Sequence, residues 1–339
     1  MRKTIIIIAA AIIAAIGGAA LYIVNQRTAN EEAVRIYLPE GTTFDALCDT
    51  IDASPTFRLM AHALKLDERV RPGSYVVEAR QSELALVRKL RNGQQDPIRL
   101  TIGKFRLPQQ LNEYLNSKLM HDDFNVTLDS FYLIRPNTYE FYWTVTPEQF
   151  MQRMDKEFNK VFSEQCSLSS GATQDSGKQM NTEHCSLNTE EVVILASIVE
   201  EETNNNQEKP LIASVYLNRL KRGMPLQADP TVKYAVANSC PSGSGGLSAT
   251  QTEGFALRRI LNKHLAVESP FNTYLHTGLP PAPICLPSDA SVKAVLNAPE
   301  TQYLYFCASE KLDGTHRFAA TLAEHNANAA RYHRAISSH

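Results

Sequence analysis

The sequence predicts an α+β protein with an N-terminal transmembrane helix, a small module of two strands and two helices, and a larger mixed α+β domain. Three patterns support this prediction: an uncharged apolar run at 4–24, strand-like alternation followed by helical spacing within 34–102, and helical patterns separated by a proline-rich loop after residue 188. At about 150 residues per domain, a chain of 339 residues has room for two domains beside the apolar run.

The expected segments follow these composition changes along the chain. They are a cytoplasmic N-terminus at 1–3, a transmembrane anchor at 4–24, a linker at 25–33, the small module at 34–102, a connecting α/β region at 103–163, a polar loop or insertion at 164–188, and the larger domain at 189–339.

Composition excludes several classes of protein. The chain is 43% hydrophobic and 21% charged, as folded proteins are and disordered chains are not. Its formal net charge is -2 and it has no long basic run, so nucleic acid is not an expected partner. The six cysteines show no C-x-x-C spacing, which argues against a zinc or redox motif. Cys166 and Cys185 bracket the polar segment, where a disulfide is plausible.

The apolar run from Thr4 to Val24 is the basis for predicting a membrane anchor. At 1.5 Å per residue it would reach about 30 Å, the thickness of a bilayer core. It is longer than the apolar region of a cleaved signal peptide, which is about 7–15 residues. Arg2 and Lys3 precede the run, so the positive-inside tendency places the N-terminus in the cytoplasm. We therefore expect a single-pass membrane protein with the rest of the chain outside the cytoplasm.

The segment from Val34 to Ile102 has the pattern of a small independent unit. Apolar residues alternate in 34–38, a turn follows at 39–41, and helical spacing begins near Thr43. A second turn at 71–73 precedes another strand-like stretch, so the simplest order is strand, helix, helix, strand.

The strongest chemical signal is the run Glu200-Glu201-Glu202 at the end of an apolar helix that begins after Asn188. Carboxylates are unfavourable at a helix C-terminus, so local stability does not explain them. Either the helix emerges into solvent, or one carboxylate lies at the floor of a cleft, where its pKa is raised and it can donate a proton. The spacing of the residues does not choose between Glu200 and Glu202.

Two later loops supply polar candidates. A second helix begins near Pro210 and ends at Gly223, and Gln227 and Asp229 follow it. Asp229 precedes a proline and could simply cap a short helix, whereas Gln227 has no such structural explanation. A proline-stiffened loop at 269–284 contains further amide, hydroxyl and phenol groups, and stiff polar loops bind ligands at little entropic cost.

Several motifs, in this order along the chain, resemble the MltG (YceG-like) endolytic murein transglycosylases. They are Leu195 to Thr203, Val215 to Leu220, Gly223 to Val232, Asn272 to Tyr274 with Gly278 to Pro281, and His316 to Phe318 with Glu324 to Asn326. The resemblance covers the apolar run and about residues 34–335. The chain departs from the family pattern at Ala282 and near Cys285, and 164–188 and 236–254 look like insertions. Cys240, in the second of these, could reach Cys285.

The resemblance implies a LysM-like peptidoglycan-binding module at 34–102, followed by a catalytic domain. The implied reaction is cleavage of the MurNAc-β-1,4-GlcNAc bond within glycan strands, without water, to leave a 1,6-anhydro-MurNAc end. One glutamate would act first as acid and then as base: Glu200 by motif position, with Glu202 as second choice. The implied substrate-binding residues are Glu202, Asn218, Gln227, Asp229, Asn272 and Tyr274.

No metal or cofactor is expected for this reaction, and the histidines show no H-E-x-x-H spacing. His316 and His325 are expected to be structural hydrogen-bonding residues. The implied partners are peptidoglycan strands, the membrane and cell-wall synthases. The implied location is the bacterial cytoplasmic (inner) membrane, with the catalytic part on the periplasmic side. Two alternatives stay open: a hydrolytic glycosidase that pairs Glu200 with a second carboxylate such as Asp229, and a peptidoglycan-binding scaffold without activity.

Overall fold

A computed structural model describes residues 2–120, 122–169, 187–238, 257 and 259–337 of the chain. The chain divides into two compact units. The first comprises Met1–Leu100 with Tyr139–Thr146, and the second comprises Thr101–Thr138 with Pro147–His339.

The first unit contains the predicted strand, helix, helix, strand order. Its elements are α1 (Arg2–Val24), β1 (Val34–Leu38), α2 (Phe44–Thr50), α3 (Pro55–Ala63), β2 (Gly73–Val77) and α4 (Glu83–Asn92). β1 and β2 are antiparallel, with Val34 opposite Val77 and Leu38 opposite Gly73. The hydroxyls of Thr43 and Ser54 cap α2 and α3, which fixes where each helix begins.

The prediction of a transmembrane helix at 4–24 is overturned. The structure forms a helix there, α1, but no helix within the described part of the chain combines the length and apolarity needed to cross a membrane. The physical requirement is about 20 consecutive, predominantly apolar helical residues, enough to span a hydrocarbon core of about 30 Å.

The second unit is mostly helical. Its helices are α5 (Pro108–Leu119), α6 (Leu128–Phe131), α7 (Pro147–Ser169), α8 (Thr189–Glu202), α9 (Lys209–Lys221), α10 (Asp229–Asn238), α11 (Asn262–Leu265), α12 (Asp289–Leu296) and α13 (Leu322–Ser337). β5 (Tyr305–Ala308) and β6 (His316–Ala319) form an antiparallel hairpin. β3 (Ile98–Ile102) and β4 (Asn137–Phe141), whose residues are divided between the two units, pair in a separate two-stranded sheet.

Helix α8 lies at the centre of the second unit. It begins as predicted, because the Asn188 side chain accepts from the backbone amide of Glu191 while the Glu191 carboxylate accepts from the amide of Asn188. All residues from Val192 to Val199 are buried, and α8 packs against α9 and α12. The C-terminal glutamates are therefore held by a helix with little freedom to move.

One helix boundary differs from the prediction, and most of the expected disulfide partners lie outside the described residues. Helix α7 continues to Ser169, beyond the expected end near Phe162. Of the expected disulfide partners, Cys185 and Cys240 and the side chain of Cys166 lie outside the described residues. Cys285 is buried and free.

A buried hydroxyl connects α8 to the proline-rich loop. Ser197 Oγ donates to the carbonyl of Ile194 at 2.7 Å and accepts from the amide of Ile284 at 3.0 Å. We expect Ser197→Ala to lower the free energy of unfolding by about 1–3 kcal/mol, because it leaves a buried amide without an acceptor. Urea unfolding measures this change.

The control is Ser337→Ala, since Ser337 is exposed and bonds only within its own helix. It should change stability by less than about 0.5 kcal/mol. An equal, small effect of both substitutions would show that the Ser197 bond contributes no more than a surface contact.

Candidate active site

The last turn of α8 carries Glu200, Glu201 and Glu202, and each carboxylate has different partners. Consecutive residues of an α-helix are rotated by about 100°, so the three side chains leave the helix in three directions. The surroundings of these side chains therefore distinguish Glu200 from Glu202, whereas their spacing in the sequence does not.

Glu200 is an ion-paired carboxylate. Its Oε2 accepts from Lys209 Nζ at 3.0 Å and Ser288 Oγ at 2.6 Å, and also from the hydroxyl of Ser291. Burial raises the pKa of Glu200, but the bonds from Ser288, Ser291 and Lys209 outweigh it, and the pKa lies below its ordinary value. Glu200 and Lys209 have only 13% and 4% of their side chains exposed, so this pair is a buried ion pair.

Glu201 is ionised for a similar reason. It accepts from Lys104 Nζ at 2.9 Å and from Arg106 Nη2 at 2.8 Å. Burial raises the pKa of Glu201. The hydrogen bonds and charges of Arg106 and Lys104 lower it by more than burial raises it, so its pKa lies below the ordinary value.

Glu202 has the opposite character. It forms no ion pair with any residue in the described ranges, and its Oε1 accepts a hydrogen bond of 2.6 Å from Tyr216 Oη. Burial raises its pKa, and the nearby Asp229 carboxylate adds to the effect of burial. The pKa of Glu202 reaches about 7 although the Tyr216 bond opposes the shift. A carboxylic acid that is partly protonated near neutral pH can donate a proton.

Tyr216 is the residue here that sequence reasoning missed. It lies on the buried face of α9, with 2% of its surface exposed, and looks like an ordinary core aromatic in the sequence. Its ring packs edge-on against Phe306 of β5, with centroids 5.9 Å apart. Burial and the Glu202 carboxylate raise the pKa of Tyr216 well above its ordinary value, so it stays a hydrogen-bond donor.

Glu202 opens onto a cleft of about 600 Å³. One wall is the chain just after α8, at 203–205, and the other is formed by the turn between β5 and β6 with Tyr332 of α13. Pockets that bind small molecules are about 300–1,000 Å³, so this cleft has the size of a ligand site.

The exposed Asp229 and the half-buried Tyr274 form a second pair of polar groups. Tyr274 Oη donates to Asp229 Oδ1 at 2.7 Å, and burial and this bond raise the pKa of Tyr274 above its ordinary value. Both residues interact electrostatically with Glu202. The structure therefore brings three of the predicted site residues together.

A buried threonine pair positions this region. Thr231 Oγ1 and Thr273 Oγ1 lie 2.8 Å apart, and Thr273 Oγ1 also accepts from the amide of Ala228 at 3.0 Å. The amide of Gln227 donates to the Thr273 carbonyl, and Gln227 adopts a left-handed conformation with φ of 50° that leaves its side chain exposed. The loops before α10 and around Tyr274 are thus joined.

Asn218 and Asn272 have structural roles in this geometry. Asn218 Nδ2 donates to the carbonyls of Thr301 and Tyr303, at 2.9 and 3.0 Å. Asn272 is fully buried, and its Nδ2 donates to the carbonyls of Leu265 and Val267, each at 2.9 Å. Their amides hold loops in place and do not face the cleft beside Glu202.

The described residues contain no group of three histidine, cysteine, aspartate or glutamate side chains suited to holding a metal ion.

A family model described as the YceG-like family matches residues 23–331, which includes the whole region of α8, α9 and the two joined loops. The chain belongs to the YceG-like family. The resemblance expected from the motifs is confirmed at this level.

Two relatives of this YceG-like chain carry the name endolytic murein transglycosylase. The protein of Bacillus subtilis is 37% identical over 146 residues, a match that covers 43% of this chain and 35% of the relative. That of Streptococcus pneumoniae is 31% identical over 147 residues, covering 43% of this chain and 24% of the relative. The chain thus spans about a third of the length of the Bacillus subtilis relative and about a quarter of the length of the Streptococcus pneumoniae relative.

A crystal structure of a YceG-like protein from Listeria monocytogenes aligns with a TM-score of 0.47 and 22% identity, and covers 88% of this chain and 99% of that one.

The Tyr216 bond gives a direct test of how Glu202 is tuned. A hydrogen bond donated to a carboxylate stabilises the ionised form, so its removal raises the pKa. We expect Tyr216→Phe to move the pKa of Glu202 above its present value of about 7. A ¹³C NMR titration of the Glu202 carboxyl carbon measures the shift.

Tyr142→Phe is the control, because Tyr142 is an exposed tyrosine of the first unit. It should leave the Glu202 titration unchanged. A Tyr216→Phe variant with an unchanged or lower pKa would contradict the tuning role of the phenol.

Proposed function

We propose that the chain is a lytic transglycosylase that cleaves MurNAc-β-1,4-GlcNAc bonds within peptidoglycan strands, with Glu202 as the proton donor. The observation that carries this proposal is a carboxyl group with a pKa of about 7 at the edge of a cleft large enough for a ligand. Membership of the YceG-like family and the names of the two relatives agree with the reaction class.

Glu202 suits the role of acid better than Glu200, the residue favoured by motif position. A general acid must be protonated near the working pH, and the Lys209 ion pair and two serine hydroxyls stabilise the ionised form of Glu200. Protonation of Glu200 would leave the buried Lys209 ammonium without its counter-ion, which costs several kcal/mol. In this proposal Glu200 and Lys209 hold the end of α8.

The proposed mechanism needs a single carboxylic acid. Protonated Glu202 donates its proton to the bridging oxygen as the C1–O bond breaks and positive charge develops on the sugar ring. The resulting carboxylate then takes the proton from the C6 hydroxyl as O6 bonds to C1, which closes the 1,6-anhydro ring and restores the acid. Since Tyr216 already donates to Oε1, Oε2 is the oxygen that carries the transferable proton.

Asp229 and Tyr274, with Gln227 beside them, are the proposed contacts for sugar residues on one side of Glu202. They are exposed or half-buried, and their loops are fixed by the threonine pair, so little ordering is needed on binding. Asn218 and Asn272 would support binding only indirectly, by holding loops in place.

The wider predictions follow from the proposed substrate. Peptidoglycan lies outside the cytoplasm, so the catalytic unit would act there. The strand, helix, helix, strand unit is proposed to bind glycan strands as a LysM-like module, and cell-wall synthases stay the predicted protein partners.

The first experiment compares the full-length protein with its Glu202→Gln variant on intact glycan strands. Mass spectrometry should find internal fragments ending in anhydro-MurNAc from the wild type, and activity at least about 100-fold lower in the variant, because it removes the general acid. Glu190→Gln, an exposed glutamate in the first turn of the same helix, should keep full activity.

Each other outcome points to an alternative. Reducing-end products would indicate a hydrolase, with Asp229 as second carboxylate. Full activity in Glu202→Gln together with loss in a folded Glu200→Gln variant would return the acid to Glu200. Binding without cleavage would favour the scaffold.

The pH dependence tests the same assignment independently. Glu202 must be protonated to act, so the rate should fall as pH rises through about 7, the raised pKa of its carboxyl. The measurement is kcat against pH from pH 5 to 9 with soluble glycan strands. A rate that increases steadily through this range would contradict a carboxylic acid donor.

A further inference from the structure

The cleft beside Glu202 contains a histidine that the mechanism does not use. His316, the first residue of β6, lines the cleft together with Glu202. Its Nδ1 lies 2.9 Å from Glu208 Oε2, and its backbone amide donates to Glu208 Oε1 at 2.9 Å. Glu208 thus holds both the main chain and the ring of His316.

This arrangement determines which nitrogen can bind a ligand. Since Nδ1 is occupied by the Glu208 carboxylate, Nε2 is the nitrogen available to another group. A carboxylate on Nδ1 fixes the tautomer and orientation of an imidazole ring. The edge-on contact between the His316 and Phe306 rings, with centroids 5.5 Å apart, restricts the ring further.

The turn between β5 and β6, which forms one wall of the cleft, is held by hydrogen bonds between its own residues. Ser309 donates its amide to the Thr315 carbonyl at 2.8 Å, and Thr315 donates its amide and hydroxyl to Asp313. Arg317 of β6 and Glu310 of the turn form a two-pronged ion pair. A wall built this way needs little ordering when a ligand binds.

The chemistry of the lining selects the ligand class. The residues that line the cleft include Asn204, Asn205, Asp313 and Tyr332, and the described lining contains neither lysine nor arginine. Hydrogen bonds from Thr315 hold the pKa of Asp313 below its ordinary value, so this wall is negatively charged at neutral pH. Anionic groups are therefore disfavoured in the cleft. Hydroxyl and acetamido groups of a ligand can form hydrogen bonds with the amides of Asn204 and Asn205. The ring of Tyr332 can pack against the C–H face of a sugar.

We propose that this cleft binds the uncharged N-acetylglucosamine side of the glycan strand, and that His316, positioned by Glu208, binds its hydroxyl groups next to Glu202. Sugar hydroxyls both donate and accept, so Nε2 can bond to them in either protonation state of the ring. The inference rests on the proposed function and assigns a substrate-binding role to a histidine that the sequence indicated as structural.

The experiment follows His316 directly in the full-length protein. Histidine is labelled with ¹³C at Cε1, the His316 signal is identified by its absence in His316→Gln, and chitotetraose, an uncharged N-acetylglucosamine tetramer, is titrated at pH 7. We expect a saturable shift of the His316 signal. Inorganic phosphate at the same concentrations should cause none.

Variants of the positioning residue provide the quantitative test. Glu208→Gln should weaken the chitotetraose affinity measured at His316 about tenfold, comparable to the loss of one hydrogen bond. Glu268→Gln, an exposed glutamate that does not line the cleft, should leave the affinity within about twofold. With glycan strands as substrate, His316→Ala should raise KM about tenfold. This variant keeps the hydrogen bond from the backbone amide of residue 316 to Glu208, because only the side chain is removed.

The proposal is overturned if saturating chitotetraose leaves the His316 signal unchanged, or if His316→Ala and His316→Gln both cleave strands with the wild-type KM. Those results would leave the proposed reaction intact if the wild type still forms anhydro ends. Conversely, chitotetraose binding at His316 without any strand cleavage would support the cleft assignment and contradict the proposed function.

Discussion

The buried ion pair between Glu200 and Lys209 is the interaction on which the rest of the site depends. Helix α8 brings three consecutive carboxylates to its C-terminus, where the helix dipole disfavours them. Lys209 neutralises the first, and Lys104 and Arg106 neutralise the second. Only because these two charges are compensated can the third carboxyl group lie beside them and titrate near neutral pH.

Helix α9 connects this charge pattern to the loops around it. Lys209 at its first turn pairs with Glu200, and Tyr216 in its middle donates to Glu202. Near its end, Arg219 donates to the carbonyls of Leu304 and Leu226, at 2.7 and 2.8 Å. One helix thus holds the Glu202 carboxyl and two loops in a fixed relation, which explains why Tyr216, Asn218 and Arg219 occur on a helix that is largely buried.

How much of this could be predicted from the sequence depends on how local each signal is. The start of α8 was predictable, because the capping box between Asn188 and Glu191 lies within one turn. The different environments of Glu200 and Glu202 were not predictable, because Ser288 and Ser291 lie 88 and 91 positions away from the glutamate they bind. Long-range partners of this kind leave no periodic pattern.

Motif resemblance has a related limit. It identified Asn218 and Asn272 as members of the site, but it carries no information on whether an amide faces a ligand or a backbone carbonyl. Tyr216 was missed for the opposite reason, since an aromatic residue on an apolar helix face is usually explained by packing. The transmembrane prediction rested on the length, the apolar composition and the flanking charges of 4–24, and the structure does not support it.

The edge-on contact between Tyr216 and Phe306 has a consequence for how the molecule can change over evolution. Phe306 packs against the hydrophobic core that contains the apolar residues of α8, and the Tyr216 ring it touches donates the hydrogen bond to Glu202. The Tyr216 side chain therefore contributes both to the packing of the core and to the acidity of Glu202. A substitution deep in the core that shifts α9 by a fraction of an ångström would alter the strength of the acid as well as the stability of the fold, so selection on working pH can act through residues that never contact the cleft.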